Sequence, residues 1–287
     1  MVQVIVSHGF VEHIGVFSMR FCLLVLTVLS AVIMMTGCAV MDLSTLETAM
    51  PIAPARVQAS GYVATGLDLA SAADTYQSHH NLPNDSNDED GDFFSSLSGF
   101  KVGISVMPKI DLIARYYISG DGLDENDLFP SYNYHHEDKT TGLKLGCKAL
   151  IYKKDKNYVA FMPLYTRVRG ENKEYWSTAE GGIIQDNNYT NLYNSDGLEA
   201  QMLYTYKAGQ IVQFTLAGKY NYHHYSEIYR NVHSKVFHLS HYGITGNICV
   251  TFKPVFLMFE LGQEMVPIHN GSTKNQSTVG MSLGFKI

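Results

Sequence analysis

The chain is poor in cysteine, in charged residues and in clusters of basic side chains. It has four cysteines among 287 residues, and charged residues make up only 17% of it. The formal net charge is −6, and Lys153-Lys154 is the only place where two cations are adjacent, so no nucleic-acid-binding surface is indicated. No nucleotide-binding loop, dinucleotide fingerprint or G-x-S-x-G nucleophile motif occurs. The sequence therefore indicates no common enzyme class.

An apolar run near the amino terminus predicts export from the cytoplasm. Residues 1–18 carry Glu12 and no cation, which is a poor beginning for an export signal. A second start at Met19 fits better, because Arg20 is followed by apolar residues 21–35 and then by Thr36-Gly37-Cys38. Fifteen residues in that run are too few for a transmembrane helix, which needs about 20. We predict a signal region over residues 1–37, with translation starting at Met19.

The end of this signal predicts a lipid anchor. Met35-Thr36-Gly37-Cys38 resembles the lipobox of bacterial lipoproteins. The resemblance implies cleavage before Cys38 and acyl chains on Cys38, with outer-membrane lipids and the lipoprotein-sorting machinery as partners, and we expect no other cofactor. Two or three acyl chains give firm anchorage, and Ala39 fits sorting to the outer membrane. The alternative is an ordinary secretory signal that ends in a cysteine.

After Cys38 the chain changes to short segments in which apolar and polar residues alternate. Residues 38–56 show no lasting period, and we interpret them as a periplasmic tether that leads to a barrel domain at residues 57–287. In residues 210–222, for example, Val212, Phe214 and Leu216 share one face, as expected for a strand but not for a helix. We predict ten strands of about ten residues each, at 57–68, 99–107, 109–118, 142–152, 157–168, 197–207, 210–222, 238–252, 254–263 and 277–287.

The connections between these strands alternate between two lengths. Tight turns occur near residues 108, 155, 208 and 253, and long polar segments occupy the other connections. This pattern predicts an all-β protein, a closed antiparallel up-and-down transmembrane barrel of about ten strands with both termini in the periplasm. The last residues, Leu283–Ile287, resemble the carboxyl-terminal signal of outer-membrane proteins, which implies the barrel-assembly machinery as a partner.

Alternation alone does not identify the outward face. A soluble, lipocalin-like barrel would bury the apolar face. We favour the membrane barrel because the polar face is rich in small residues such as Gly103 and Gly280, the long loops share one side, and tyrosines gather near strand ends. Strand parity also puts Cys147 and Cys249 on opposite faces, so no disulfide between them is expected.

The predicted lumen carries a network of charges. Its members are Lys101, Asp111, Arg115, Lys144, Lys148, Glu199, Lys219, Glu260 and Lys286. Ion pairs among them would fill a narrow barrel. The alternative is a thin cation-lined path for a small anionic solute.

Histidines next to acids are weak metal candidates. His135, His136 and Asp138 could ligate a divalent ion if loops converge, but solvated loop histidines are the more ordinary interpretation.

These observations predict a non-enzymatic, lipid-anchored outer-membrane barrel whose surface loops bind a ligand or shield the cell. They predict no nucleic-acid partner, and the ligand is unknown. Three alternatives remain. They are a narrow solute channel, a hydrolase with a site at the rim that uses Asp111, Glu260 or His241, and a periplasmic barrel that binds an apolar ligand.

Overall fold

The computed structural model describes residues 40–68, 94–126, 132–180, 183–229, 232–267 and 273–287. This part of the chain is all-β. It contains no helix that is long and apolar enough to cross a membrane. Its strands are β1 (Val40–Asp42), β2 (Val57–Asp68), β3 (Phe94–Met107), β4 (Ile110–Asn126), β5 (Tyr132–Lys154), β6 (Asn157–Glu180), β7 (Ile183–Lys207), β8 (Val212–Tyr229), β9 (Val232–Phe252), β10 (Val255–Pro267) and β11 (Thr273–Lys286).

Strands β2 to β11 form the barrel wall. Each pairs antiparallel with the strand before and after it, and β2 also pairs with β11, which closes the sheet. Residue Ile287 exchanges backbone hydrogen bonds with Val57 at 3.0 and 2.9 Å, so the last residue meets the beginning of the first wall strand. The predicted closed antiparallel barrel of ten strands is confirmed. Closure leaves no strand edge that lipid would have to satisfy.

The strands end at the predicted tight turns but extend further at the opposite end of the barrel. We call the two ends the turn end and the loop end. β5, β6 and β7 have 23, 24 and 25 residues, about twice the length expected from alternation. Much of the predicted long loops at 119–141 and 169–196 is therefore strand. The inward positions there, such as Asp138, Asn172 and Asn191, are buried but polar, so backbone pairing continues without any apolar alternation that a sequence would reveal.

The apolar face of the wall points outward. Leu216 is 56% exposed and Leu261 is 68% exposed, while Thr215 and Glu260 beside them are buried. The same alternation continues around the wall from β3 to β11. A soluble barrel would have the opposite arrangement, so this face is the lipid-facing surface of a transmembrane barrel. The lipocalin-like alternative, with an apolar interior, is wrong.

Exposed tyrosines border this apolar surface at two levels. Tyr152, Tyr204 and Tyr206 lie near the turn end. A second set lies closer to the loop end and consists of Tyr116, Tyr165, Tyr220, Tyr222 and Tyr242. Tyrosine prefers the boundary between lipid and water, and the two sets form the aromatic girdles of a membrane barrel.

Residues 40–52 lie inside the barrel, and we call them the lumen segment. β1 pairs with the far end of β2, from Val40 opposite Asp68 to Asp42 opposite Gly66, so the segment begins near the loop end. Residues 40–49 are all buried, and residues 53–57 emerge at the turn end, where β2 begins. The predicted periplasmic tether is therefore wrong for residues 40–52. The reason is that their backbone finds its partners on the inner wall.

Replacing Leu216 by arginine should strongly destabilise the barrel in a bilayer. The side chain lies on the lipid-facing surface of β8, four residues below Tyr220 of the upper tyrosine set, and the cost of a cation rises with depth to about 2–4 kcal/mol at the bilayer midplane. Tyr206→Arg is the matched control, because Tyr206 lies beside the turn end and a cation costs about 0–1 kcal/mol there. The measurement is urea-induced unfolding from phospholipid vesicles. Equal and small effects for both variants would contradict a lipid-facing Leu216.

Candidate functional site

The peptide groups of the lumen segment need hydrogen-bond partners from elsewhere in the protein. Apart from the short strand β1, residues 43–52 have no regular structure, so their peptide groups are not paired by a ladder. Buried peptide groups without partners are costly, and side chains must supply those partners. Side chains from eight of the ten wall strands hydrogen-bond to the segment.

Cations of the wall donate to carbonyl oxygens of the segment. Arg115 donates to the carbonyl of Ser44 at 2.8 Å and also to that of Thr45. Lys148 donates to the carbonyl of Met50 at 2.9 Å. Three further pairs have the same form, namely Lys101 with Leu46, Lys144 with Asp42 and Lys219 with Leu43. Five predicted lumen cations thus bind the backbone of a single peptide segment.

Acids of the wall accept from the amide groups of the same segment. The carboxylate of Glu260 receives the N–H of Thr45 at 2.8 Å and that of Leu46 at 2.6 Å, one on each oxygen. Asp111 receives the N–H of Ile52 at 2.9 Å. Thr205 and Thr140 accept further N–H groups from Ala49 and Val40. The wall therefore binds both the carbonyl groups and the N–H groups of the segment's backbone.

Two acids of the segment pair with the wall cations. Glu47 lies 3.3 Å from Lys101 and 3.1 Å from Lys148, with both partners buried. Asp42 lies 3.9 Å from both Arg115 and Lys144, and it accepts a hydrogen bond from the hydroxyl of Tyr62 at 3.0 Å. The segment thereby compensates cations that would otherwise be desolvated without enough counter-charge.

The electrostatic consequence is clearest for Glu47, which lies outside the membrane-spanning strands. Burial disfavours its ionised form, but the charges of Lys101, Lys148 and Arg115 outweigh burial and hold the pKa of Glu47 well below 4.5. The carboxylate is therefore ionised at neutral pH and attracts the wall cations strongly.

Glycines on the inner wall make room for the segment. A side chain at Gly66 would come within 2.2 Å of Val40, and one at Gly103 would come within 2.7 Å of Ile52. The aliphatic side chains of the segment fill the remaining space, and Val40, Met41, Leu43 and Leu46 pack with buried wall residues such as Phe256. Small lumen residues therefore accommodate a peptide rather than an open path.

The structure buries eight of the nine charges predicted for the lumen, and Lys286 is half-buried above the ring of Phe256 at 5.2 Å. Only some of them pair with one another. Lys144 lies 2.7 Å from Glu199, and Lys148 lies 3.3 Å from Asp111. Most of their remaining partners belong to the lumen segment, which sequence reasoning assigned to the periplasm. Asp42 and Glu47 were missed because no alternation surrounds them.

A second buried network lies closer to the loop end, and sequence reasoning missed its acid. Glu264 pairs with Lys219 and lies 3.1 Å from Nδ1 of His241. The ring of His241 stacks on that of His223 with centroids 6.1 Å apart, and His223 lies 3.3 Å from the hydroxyl of Ser195. Glu264 follows Glu260 by four residues in β10 and shares its inward face, which is the signal that could have identified it.

The residues suggested for a rim hydrolase do not form one site. Asp111 and Glu260 each bind peptide N–H groups of the lumen segment, and His241 binds Glu264 instead. All three side chains are buried.

The other predicted site residues are only partly described. Cys38 lies outside the described residues. The side chains of His135 and His136 also lie outside them, and Asp138 is buried. Among the residues that the structure describes, no three His, Cys, Asp or Glu side chains converge as metal ligands would. Cys147 and Cys249 are free thiols, as strand parity predicted.

Three solved barrels are similar to this chain at low sequence identity. The outer-membrane protease OmpT of Escherichia coli has 11% identity and a TM-score of 0.44, covering 84% of this chain and 99% of that one. The translocator domain of the autotransporter NalP from Neisseria meningitidis has 10% identity and a TM-score of 0.39, covering 100% and 99%. The attachment invasion locus protein Ail of Yersinia pestis has 11% identity and a TM-score of 0.30, covering 82% and 99%. Nothing about a ligand or a reaction follows from similarities this distant.

No protein-family model matches the chain, and no curated protein does.

Replacing Glu260 by alanine should loosen the lumen segment. The variant loses two charge-assisted hydrogen bonds to peptide N–H groups, each worth about 1.5–3 kcal/mol, so amide hydrogen exchange of residues 43–50 should become about 100-fold faster. Gln213→Ala is the control, because Gln213 is buried in the lumen but belongs to none of the segment contacts described above. Exchange followed by mass spectrometry in detergent measures both. Unchanged exchange in Glu260→Ala would contradict the described anchoring.

Glu47 should stabilise the protein at neutral pH and lose this effect in acid. Its pKa in the folded state lies below the ordinary value of 4.5, so its contribution is complete above that value and declines as the pH falls further. Glu47→Gln should therefore lower the free energy of unfolding at pH 7, and the difference from wild type should shrink progressively below about pH 4.5.

Urea unfolding at several pH values measures this difference. Glu171→Gln is the matched control, because Glu171 pairs with Lys173 on the outer surface at 3.4 Å and such pairs contribute only about 0–1 kcal/mol. A Glu47 effect that grows in acid would contradict the assignment.

Proposed function

We propose that the protein is an outer-membrane β-barrel that is closed by its own N-terminal segment and acts through its surface end without catalysing a reaction. One observation carries the proposal. The lumen segment is buried within the barrel, and side chains from eight of the ten wall strands hydrogen-bond to it. A barrel whose interior is occupied by a bound peptide does not serve as a steady solute path.

The two ends of the barrel differ in their connections, and this difference supports an orientation with the turn end in the periplasm and the loop end at the cell surface. Four tight turns join strands at the turn end, whereas β5, β6 and β7 extend far beyond the lipid-facing surface at the loop end. Outer-membrane barrels have short periplasmic turns and long surface loops. The extended strands project beyond the apolar surface at this end, and here we propose that the protein binds a ligand or shields the cell.

The charges argue against the channel alternative. Lys101, Arg115, Lys144, Lys148 and Lys219 would line a path for an anion, but each donates to a carbonyl oxygen of the lumen segment. A passing solute would have to replace these hydrogen bonds. Their number favours a permanently closed lumen.

We also propose that Cys38 carries the lipid anchor, and that this anchor lies on the surface side. Val40 pairs with Asp68, at the opposite end of β2 from Val57. At about 3.3 Å per residue and a tilt of about 45°, these ends are about 25 Å apart along the membrane normal. Cys38 precedes Val40 by two residues, which span at most about 7 Å. Its acyl chains therefore reach the outer leaflet and not the periplasmic leaflet.

Conductance in planar bilayers tests the closed lumen. The full-length protein should insert without a steady current, because the lumen segment fills the barrel. A variant that lacks residues 40–52, shown to be folded by its heat-dependent gel mobility, should conduct. A steady current through the wild-type protein, or a folded deletion variant that remains silent, would overturn the proposal.

Labelling of cells tests separately whether Cys38 is acylated and on which side of the membrane it lies. Metabolic labelling with a fatty acid should mark the wild type but not Cys38→Ser. An epitope inserted after Ala39 should bind antibody on intact cells, whereas the same epitope at Asp155 in a tight turn should bind only after permeabilisation. Absence of label would refute the lipid, and an Ala39 epitope that needs permeabilisation would refute the surface side.

A further inference from the structure

Four cations form a patch on the outside of the wall, near the loop end. They are Lys139 in β5 and Arg167, Arg169 and Lys173 in β6, and all are exposed. Adjacent positions on each strand point inward and are buried, such as Asp138 and Val168. We call these four residues the rim patch. They lie on two neighbouring strands of a protein whose net charge is −6, so the patch is a local feature and not a consequence of overall charge.

The rim patch begins where the apolar surface ends. Along β5 the outward residues change from Leu145 and Leu143 to Thr141 and then Lys139. Along β6 they change from Phe161 and Tyr165 to the arginines. Leu143 lies opposite Arg167 in the β5–β6 register. The patch therefore lies at the height of lipid head groups on the loop side, directly above the upper tyrosine girdle.

Two of the four cations have an acid partner. Arg167 lies 3.7 Å from Asp196, and Lys173 lies 3.4 Å from Glu171. Lys139 and Arg169 form no ion pair within the described part of the chain, although Glu171 lies opposite Lys139 in the register. These two side chains are therefore not held by an acid of the described chain and are available to bind an anion at the membrane boundary.

Lys139 and Arg169 contribute to the lining of a shallow groove of about 350 Å³. Its lining also includes the polar side chains of Thr141 and Asn194, the carboxylate of Glu171, which is paired with Lys173, and the apolar side chain of Leu192. Thr141 and Asn194 lie on either side of Arg169 across the sheet. The groove thus combines cations for an anion with polar groups for hydroxyls, and the apolar surface begins below it at Leu143.

We propose that this groove binds the phosphorylated sugar head group of a glycolipid in the outer leaflet. Guanidinium and ammonium groups at a membrane surface recognise phosphate, and arginine binds its oxygens in pairs. Thr141 and Asn194 are suited to sugar hydroxyls, and Leu143, two residues nearer the apolar surface than Thr141, is placed to contact the first carbons of an acyl chain. The inference depends on the proposed orientation, in which the loop end faces the outer leaflet.

Lipid binding to the purified, folded protein in detergent tests the site. The probe is lipid A with its phosphates, titrated by native mass spectrometry against enzymatically dephosphorylated lipid A. The double variant Lys139→Gln/Arg169→Gln should bind phosphorylated lipid A about 20-fold more weakly than wild type. Wild type should also lose about this factor when the lipid lacks phosphate.

A matched control changes the same number of charges at the other end. Lys153→Gln/Lys156→Gln removes two exposed cations at the turn end and should bind like wild type. Binding by the rim variant that equals wild type would overturn the site, as would competition by inorganic phosphate at the same concentration as the lipid. If only the turn-end variant loses binding, the proposed orientation is wrong rather than the recognition of phosphate.

Discussion

Every peptide group at membrane depth in this protein must find its hydrogen-bond partner within the protein, because lipid offers none. The wall meets this requirement by closing, through the pairing of β2 with β11. The lumen segment has almost no ladder to use and meets it through charged side chains of the inner wall. Glu260 illustrates the arrangement, since its two carboxylate oxygens accept the N–H groups of Thr45 and Leu46.

The same requirement explains why so many charges are tolerated inside the barrel. Lysine and arginine buried without counter-charge would be strongly destabilising, and wall acids alone pair with only some of them. Asp42 and Glu47 of the lumen segment complete the balance. Wall and segment therefore depend on one another, because the wall satisfies the peptide backbone and the segment compensates the wall cations.

If the lumen is closed, as we propose, the loop end is the part of the protein through which it acts. Strands β5, β6 and β7 extend beyond the apolar surface at this end, and Lys139 and Arg169 lie where that surface ends. In the orientation that we propose, acyl chains on Cys38 and a glycolipid bound at the rim patch would both belong to the outer leaflet.

Strand number, the tight turns and the outward apolar face could be predicted from local pattern. The alternation at Val212, Phe214 and Leu216 is enough, because a strand in contact with lipid on one side must repeat every second residue. The lumen charges followed from the same parity, and eight of the nine are buried. The strand ends at the loop end could not be predicted, because polar residues occur at inward and outward positions alike, as at Asn172 and Lys173, and only backbone pairing defines the strand there.

The path of residues 40–52 was decided by tertiary structure alone. No periodic pattern distinguishes a periplasmic tether from a peptide inside a barrel. The wall partners of Asp42 and Glu47 are also distant in sequence: Lys101, Lys144 and Lys148 lie between 54 and 102 residues away. The sequence by itself determined the barrel, because each wall strand contacts lipid on one face and the lumen on the other, and its own residues must alternate accordingly. Only the closed wall, which brings cations from several strands around one space, determined that the lumen holds the amino-terminal segment.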